Sequence, residues 1–272
     1  MAYELTLPAE GAAFVIGGTG GAGAAVVRAF AKTGAGIAFT YNSNRRKADA
    51  LVAELEGVGV KAKAYQLDII DPAAVKTTVS EVLSDYGTIH SVVYASGPMW
   101  KNELQLADVE PAFFEFLVRS ETLGFFNVVS AVIPHLRLNA GSITACTTFG
   151  NARRFDRDGQ SAVPKAGIES MILYLAAEEA KYGIRANAVR LGWFNFGMGA
   201  VDNAEAGLDD PKRKMTGGDA GAEALEWMYS RIRLYNRPGR GEELAGMVLY
   251  MASQQAAYTT GQIGCVDGGI SL

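Results

Sequence analysis

The sequence predicts an α/β fold in which helices flank both faces of a doubly wound, parallel, seven-stranded sheet. Three observations carry this expectation. Short apolar runs alternate with longer amphipathic stretches from the first residues to about Arg190, which is the pattern of repeated βαβ units. The first apolar run ends in a glycine-rich turn, Gly17-Gly18-Thr19-Gly20-Gly21-Ala22-Gly23, that opens directly into a helical pattern. The 272 residues, 49% hydrophobic and 20% charged, suffice to bury a substantial core.

In chain order, strands are expected at residues 12–17, 36–41, 60–67, 89–95, 141–146, 184–190 and 262–266. Each is a short run rich in apolar residues, as strands covered by helices on both faces must be. Helical patterns fill the intervals at residues 21–33, 45–56, 72–86, 109–138 and 162–182. After Arg190 the rhythm breaks. Residues 191–240 mix glycines, aromatics and charges around one helical pattern at 220–234, before a last helix at 242–252. An interruption of that length in a compact α/β chain predicts a functional lid over the substrate side of one domain spanning residues 1–272.

Composition narrows the partners. With 29 acidic and 25 basic residues the net charge is −4, and no basic cluster is dense enough to track a phosphate backbone, so nucleic acid is not an expected partner. Cys146 and Cys265 are the only cysteines, the start is not signal-like, and a reducing, cytoplasmic setting with free thiols is expected. His90 and His135 stand in no metal-ligand spacing, so no metal site is expected. No apolar run approaches the roughly 20 residues that span a bilayer, so no membrane association is expected either.

Glycines between the first strand and the first helix let backbone approach a pyrophosphate at the helix N-terminus. The spacing Gly17-x-x-x-Gly21-x-Gly23 resembles that of the short-chain dehydrogenases/reductases, and the likeness extends over nearly the whole chain. Asp68 in Leu67-Asp68-Ile69 matches the family's adenine-contacting aspartate, and Tyr94-Ala95-Ser96-Gly97 stands where the family has Asn-Asn-Ala-Gly. Lys165-Ala166-Gly167, Arg185-Ala186-Asn187-Ala188-Val189, Thr260-Gly261-Gln262 and Val266-Asp267-Gly268-Gly269 fall at the family's places. The resemblance implies a Rossmann fold and a nicotinamide cofactor. Gly17, Thr19, Gly20, Gly21, Ala22, Gly23, Asp68, Ile69, Ala95, Ser96, Gly97, Lys165, Gly192 and Phe194 would bind it.

An acidic residue at the end of the second strand would favour NAD by bonding the ribose 2′-hydroxyl. Tyr41 stands there instead, followed by Asn42-Ser43-Asn44-Arg45-Arg46. Two arginines at a helix start oppose the macrodipole, a disadvantage that a bound phosphate reverses. NADP(H) is therefore expected, with Tyr41, Asn42, Ser43 and Arg45 nearest its phosphate; the alternative is two solvated surface arginines.

The family's active site is an Asn, Ser, Tyr, Lys set, in which the tyrosine donates the proton. Aligned on Lys165, the Tyr position is Ser161, the Ser position is Thr148 and the Asn position is Glu121. Thr148 keeps a hydroxyl, but Ser161 is far less acidic than a phenol of pKa about 10. Reducing a ketone makes an alkoxide that needs a proton delivered, whereas hydride addition to a carbonyl-conjugated C=C makes an enolate that hydrogen-bond donors can hold. The Ser-x-x-x-Lys pattern with an upstream threonine resembles the 2,4-dienoyl-CoA reductase branch, although Gly150 stands where that branch has its tyrosine. Glu121, Tyr94 and Tyr174 are the other proton-donor candidates; equally, Ser161 is an N-cap with Pro164 in the first helical turn, and Glu121 pairs with Arg119 or a neighbouring subunit.

Phe196 takes the place of the family's nicotinamide-contacting threonine. Trp193, Met198, Met99, Trp100, Phe149 and Phe155 predict an apolar pocket for an apolar or aromatic substrate. The expected activity is therefore an NADPH-dependent reductase of an activated double bond, with a carbonyl reductase whose acid has moved, or an NADP-binding protein with little turnover, as alternatives. The helices at 109–138 and 162–182 match the family's dimer-forming pair and imply a homotetramer.

Overall fold

The computed structural model describes residues 4–98, 104–197 and 229–272. Seven parallel strands form one sheet in the order β3-β2-β1-β4-β5-β6-β7. They are β1 (Ala12–Ile16), β2 (Gly36–Tyr41), β3 (Ala62–Gln66), β4 (Ile89–Tyr94), β5 (Ser142–Thr148), β6 (Arg185–Leu191) and β7 (Ile263–Val266). The helices between them are α1 (Gly21–Ala31), α2 (Arg45–Glu56), α3 (Pro72–Tyr86), α4 (Pro111–Val118), α5 (Gly124–Leu136), α6 (Gly159–Glu179) and α7 (Gly241–Ala252). Strand order reverses between β1 and β4, and the crevice beyond their C-terminal ends is where such sheets bind ligands.

Two apolar cores lie on the two faces. Phe14, Ile16, Val92 and Tyr94 point to the side packed by α3, α5 and α6, while Val15, Phe39, Val93 and Val189 point to the side packed by α1, α2 and α7. The period-two alternation within each strand produces this division. Strands β1, β4 and β5 are buried along their whole length, as a sheet covered on both faces requires.

Three expectations are corrected. The pattern at 109–138 is one helical stretch, Pro111–Leu136, but a π-turn at Arg119–Leu123 separates α4 from α5. By length and composition this 26-residue stretch could reach across a bilayer, contrary to the sequence reading; 56% of its most apolar window is buried inside the fold, which marks a core helix. Helix α6 starts at Gly159, so Pro164 lies inside the helix, not in its first turn, and Asp158, not Ser161, is the N-cap. A proline there removes one helical N–H, and Thr122 Oγ1 donates to the Pro164 carbonyl at 2.8 Å. The expected helix at 220–234 lies largely outside the described residues, with 229–231 helical, as do Met99, Trp100, Met198 and most of the lid segment.

Candidate functional site

The turn after β1 is built for a close ligand. Gly17 has φ 81°, and a Cβ there would stand 2.9 Å from the Ala95 carbonyl oxygen and from the Ser96 Cα. A Cβ on Gly23 would stand 2.2 Å from the Gly17 oxygen, so the turn and α1 touch backbone to backbone. Gly17 N–H donates to Thr40 Oγ1 at 2.9 Å, which ties the turn to β2. The N-cap of α1, Gly20, supplies no side-chain cap, and the first turn carries no acidic residue. The N–H groups of the first turn therefore have no side-chain cap and lie at the positive end of the helix dipole, where an anionic diphosphate fits. Phe196 closes one flank, since a Cβ on Gly21 would stand 2.5 Å from its ring.

Around this turn, Asp68 follows β3, is exposed, and accepts from the Ile70 N–H at 3.0 Å. Ile69 packs against Gly124, and Asn127 Nδ2 donates to the Ile69 carbonyl at 3.0 Å. Tyr41 is buried, whereas Asn42, Ser43, Arg45 and Arg46 are exposed. Arg45 faces Asp49 at 3.5 Å on the surface, a contact worth little in water. Gly192 has no room for a side chain, its Cβ position lying 2.3 Å from Asp267 Cα. The Phe194 side chain is buried and stacks on Phe196 at 5.0 Å.

The second half of the site lies past β4 and β5. The π-turn projects Glu121, 2% exposed, onto the Lys165 ammonium from α6, and the two form a buried ion pair. The same carboxylate abuts Gly97, where a Cβ would stand 2.8 Å from Oε1. Burial pushes the Glu121 carboxyl above the usual carboxylate range, and Lys165 offsets part of that. Arg119 instead faces Glu115, so its expected pairing with Glu121 is overturned. Ser161, also 2% exposed, lies one helical turn before Lys165, and Thr148 ends β5, its Oγ1 accepting from the Gly150 N–H at 3.1 Å.

Two tyrosines leave the list of acids. Tyr94 is fully buried and its hydroxyl donates toward the Ser120 and Glu121 carbonyls at 3.1 and 3.2 Å, which the π-turn exposes. Burial drives its pKa well up. Tyr174 stands on the outer face of α6 at 67% exposure.

A residue that spacing alone did not single out is Asp158. A Cβ on Gly150 would stand 1.9 Å from Asp158 Oδ2 and 3.4 Å from Thr148 Oγ1. Burial pushes the Asp158 carboxyl up to about 6, with Lys165 opposing the rise. Among the described residues, six side-chain atoms are buried without a hydrogen-bond partner: His90 Nε2 and Thr144 Oγ1 within β4 and β5, and Glu121 Oε2, Asn151 Nδ2, Asp158 Oδ2 and Trp193 Nε1 on segments that follow β4, β5 and β6. Orphans are rare in native proteins, and the four that follow the strands fit a site that a polar ligand completes. Phe149 and Ile232 pack with Phe155, Trp193 and Tyr229 in an apolar cluster beside it. A separate cavity of about 180 Å³, lined by Trp193, Phe194, Tyr235 and Arg237 among others, includes none of Glu121, Thr148, Ser161 or Lys165.

The family described as enoyl-(acyl carrier protein) reductase matches residues 17–271. The chain is a short-chain dehydrogenase/reductase. It is 30% identical over 263 residues to a sorbose reductase of Candida albicans, covering 94% of this chain and 85% of the relative. It is 28% identical over 261 residues to a 3-oxoacyl-[acyl-carrier-protein] reductase of Staphylococcus epidermidis, covering 96% and 98%. A short-chain dehydrogenase/reductase from Serratia marcescens superposes with TM-score 0.84 at 25% identity, over 97% of this chain and 100% of the other. One from Mycobacterium ulcerans gives 0.85 at 21% identity, over 98% and 91%, which bears on the fold alone. This short-chain dehydrogenase/reductase thus belongs to a family of oxidoreductases that use NAD(P)(H).

Proposed function

We propose that this protein is an NADP(H)-dependent oxidoreductase that reduces a carbonyl-conjugated C=C in an apolar or aromatic substrate. When bound, the reduced nicotinamide supplies hydride. The observation that carries the reading is the pairing of Lys165 with Glu121 one helical turn from a buried serine. An ammonium held by a carboxylate beside an alcohol makes a weak proton donor but a good donor array for an enolate oxygen. Thr148 and Ser161 would bind the carbonyl oxygen, Lys165 would hold the ribose, and Glu121 would hold Lys165 in place. The match to the enoyl-(acyl carrier protein) reductase family supports the same chemistry.

Gly17, Thr19, Gly20, Gly21, Ala22 and Gly23 would cradle the diphosphate, Asp68 and Ile69 the adenine, and Ala95, Ser96 and Gly97 the inner ribose side, with Gly192 and Phe194 flanking the nicotinamide. Asn42, Ser43 and Arg45, exposed around the start of α2, would meet the 2′-phosphate. The exposed apolar side chains Phe113, Phe116 and Phe126 of α4 and α5, with Leu173 and Tyr174 of α6, favour burial between subunits of a homotetramer.

Carbonyl reduction is the second reading, favoured by the likeness to a sorbose reductase and a 3-oxoacyl-[acyl-carrier-protein] reductase. A panel assay separates them: with NADPH, an aromatic enone should be consumed and the matching saturated ketone should not. The reverse preference would establish the carbonyl reductase, and tight NADPH binding without turnover would leave only a binding protein.

A further inference from the structure

We propose that Asp158 is the proton donor of this site, giving its Oδ2 proton to the substrate carbonyl oxygen. The inference deepens the reading above and rests on its assignment of a carbonyl oxygen to Thr148. Position 150 is a glycine, and the space its side chain would fill is taken by the Asp158 carboxyl, 1.9 Å from the Cβ position, with Thr148 Oγ1 3.4 Å from the same point. Asp158 Oδ2 and Thr148 Oγ1 thus flank the same point beside Gly150, and a carbonyl oxygen bonded by Thr148 would sit next to an acid arriving from the N-cap of α6. The carboxyl is not spent on the helix: Asp158 makes no side-chain cap bond, and Oδ2 is buried without a partner. A carboxyl whose Oδ2 is buried and unpartnered, and which makes no cap bond, calls for another role.

The groups facing it agree with this role. Lys165 of α6 is the charge that acts on it, and that ammonium is itself bonded to Glu121 of the π-turn. Tyr229 joins the neighbouring apolar cluster of Phe149 and Phe155. On its own segment, Arg154, Asp156 and Arg157 are exposed, and Arg153 donates to the Leu272 carbonyl at 2.5 Å. Burial thus dominates, and the acid form persists to about pH 6.

In the step itself, hydride adds to the β-carbon, the C=C π pair shifts toward the carbonyl oxygen, and that oxygen takes the Asp158 proton. The product enol tautomerises in water to the saturated carbonyl, and water reprotonates the Asp158 carboxylate. The substrate is reduced by two electrons and the nicotinamide is oxidised by the same two. Addition at the carbonyl carbon would use the same proton to give an alcohol.

The test uses the full chain with NADPH and whichever of the enone or ketone it turns over. Wild-type kcat/KM should be level below about pH 6 and fall about tenfold per pH unit above it as the acid is lost. Asp158→Asn should lower the rate by about a hundredfold or more and remove that break. Gly150→Ala, whose Cβ needs the space of Oδ2, should produce the same loss with the carboxyl still present. Carbon NMR of the aspartate carboxyls should show one resonance titrating near 6 that disappears in Asp158→Asn. An unchanged rate and pH break in Asp158→Asn, or no aspartate titrating near 6, overturns the proposal. An inert enone with an active ketone sinks the double-bond reading alone, and the pH break still decides the role of Asp158.

Discussion

Asp158→Asn should make the folded protein more stable at neutral pH while removing its acid. In the fold the carboxyl keeps its proton to about 6, whereas in the unfolded chain it releases it near 3.8. Between those values the folded state binds more protons, so the unfolding free energy of the wild type falls as pH rises. The penalty is complete above about pH 6 and absent below about 4. That interval corresponds to roughly 3 kcal/mol, or a Tm difference of about 5–10 °C for a chain of this size. Asparagine carries no such penalty and loses no cap bond, because none is made. Urea unfolding of both proteins at pH 4, 6 and 8 measures the gap, which should open in favour of the variant as pH rises. A variant less stable than wild type at pH 8, or a gap that does not change with pH, would refute the account of a carboxyl whose burial outweighs the pull of Lys165.

Glu121→Gln leaves the Lys165 ammonium buried without its counter-charge and should cost about 3 kcal/mol or more. In urea unfolding, adding Lys165→Met should recover most of that loss, and near-additive single effects would mean the pair is not coupled. Gly23→Ala places a Cβ 2.2 Å from the Gly17 oxygen, so NADPH binding measured by fluorescence should be lost, and wild-type affinity would show that the turn relaxes freely. Arg45→Ala with Arg46→Ala should weaken NADPH binding by about tenfold or more and leave NADH binding unchanged, because only a 2′-phosphate meets them. Equal effects on both cofactors would assign the arginines to the solvated surface.

Much of the fold could be read from the chain because its strands are short apolar runs set between helices with clear apolar faces. Strand β5 ran two residues further than expected, since Thr147 and Thr148 read as polar yet are buried, with Thr147 Oγ1 bonded to Glu169 at 2.8 Å. The π-turn escaped periodicity because one extra residue per turn barely disturbs an apolar pattern, although it decides where Glu121 points. Asp158 escaped for a different reason. The sequence pattern starts the helix at 162 with Ser161 as its cap, which leaves Asp158 in a loop, and only the fold shows its carboxyl standing over Gly150. The Glu121–Lys165 pair joins residues 44 apart in sequence, beyond any local rule.

The measurement that bears most directly on the central claim is the kcat/KM ratio for an enone against its saturated ketone in wild type and Ser161→Tyr. A phenol one helical turn before Lys165 adds a second acid beside Asp158, placed as in the relatives that reduce ketones. The account predicts that Ser161→Tyr raises ketone reduction and leaves enone reduction equal or weaker, so the ratio falls. A wild type that already prefers the ketone, or a ratio that Ser161→Tyr leaves unchanged with both rates intact, would contradict it.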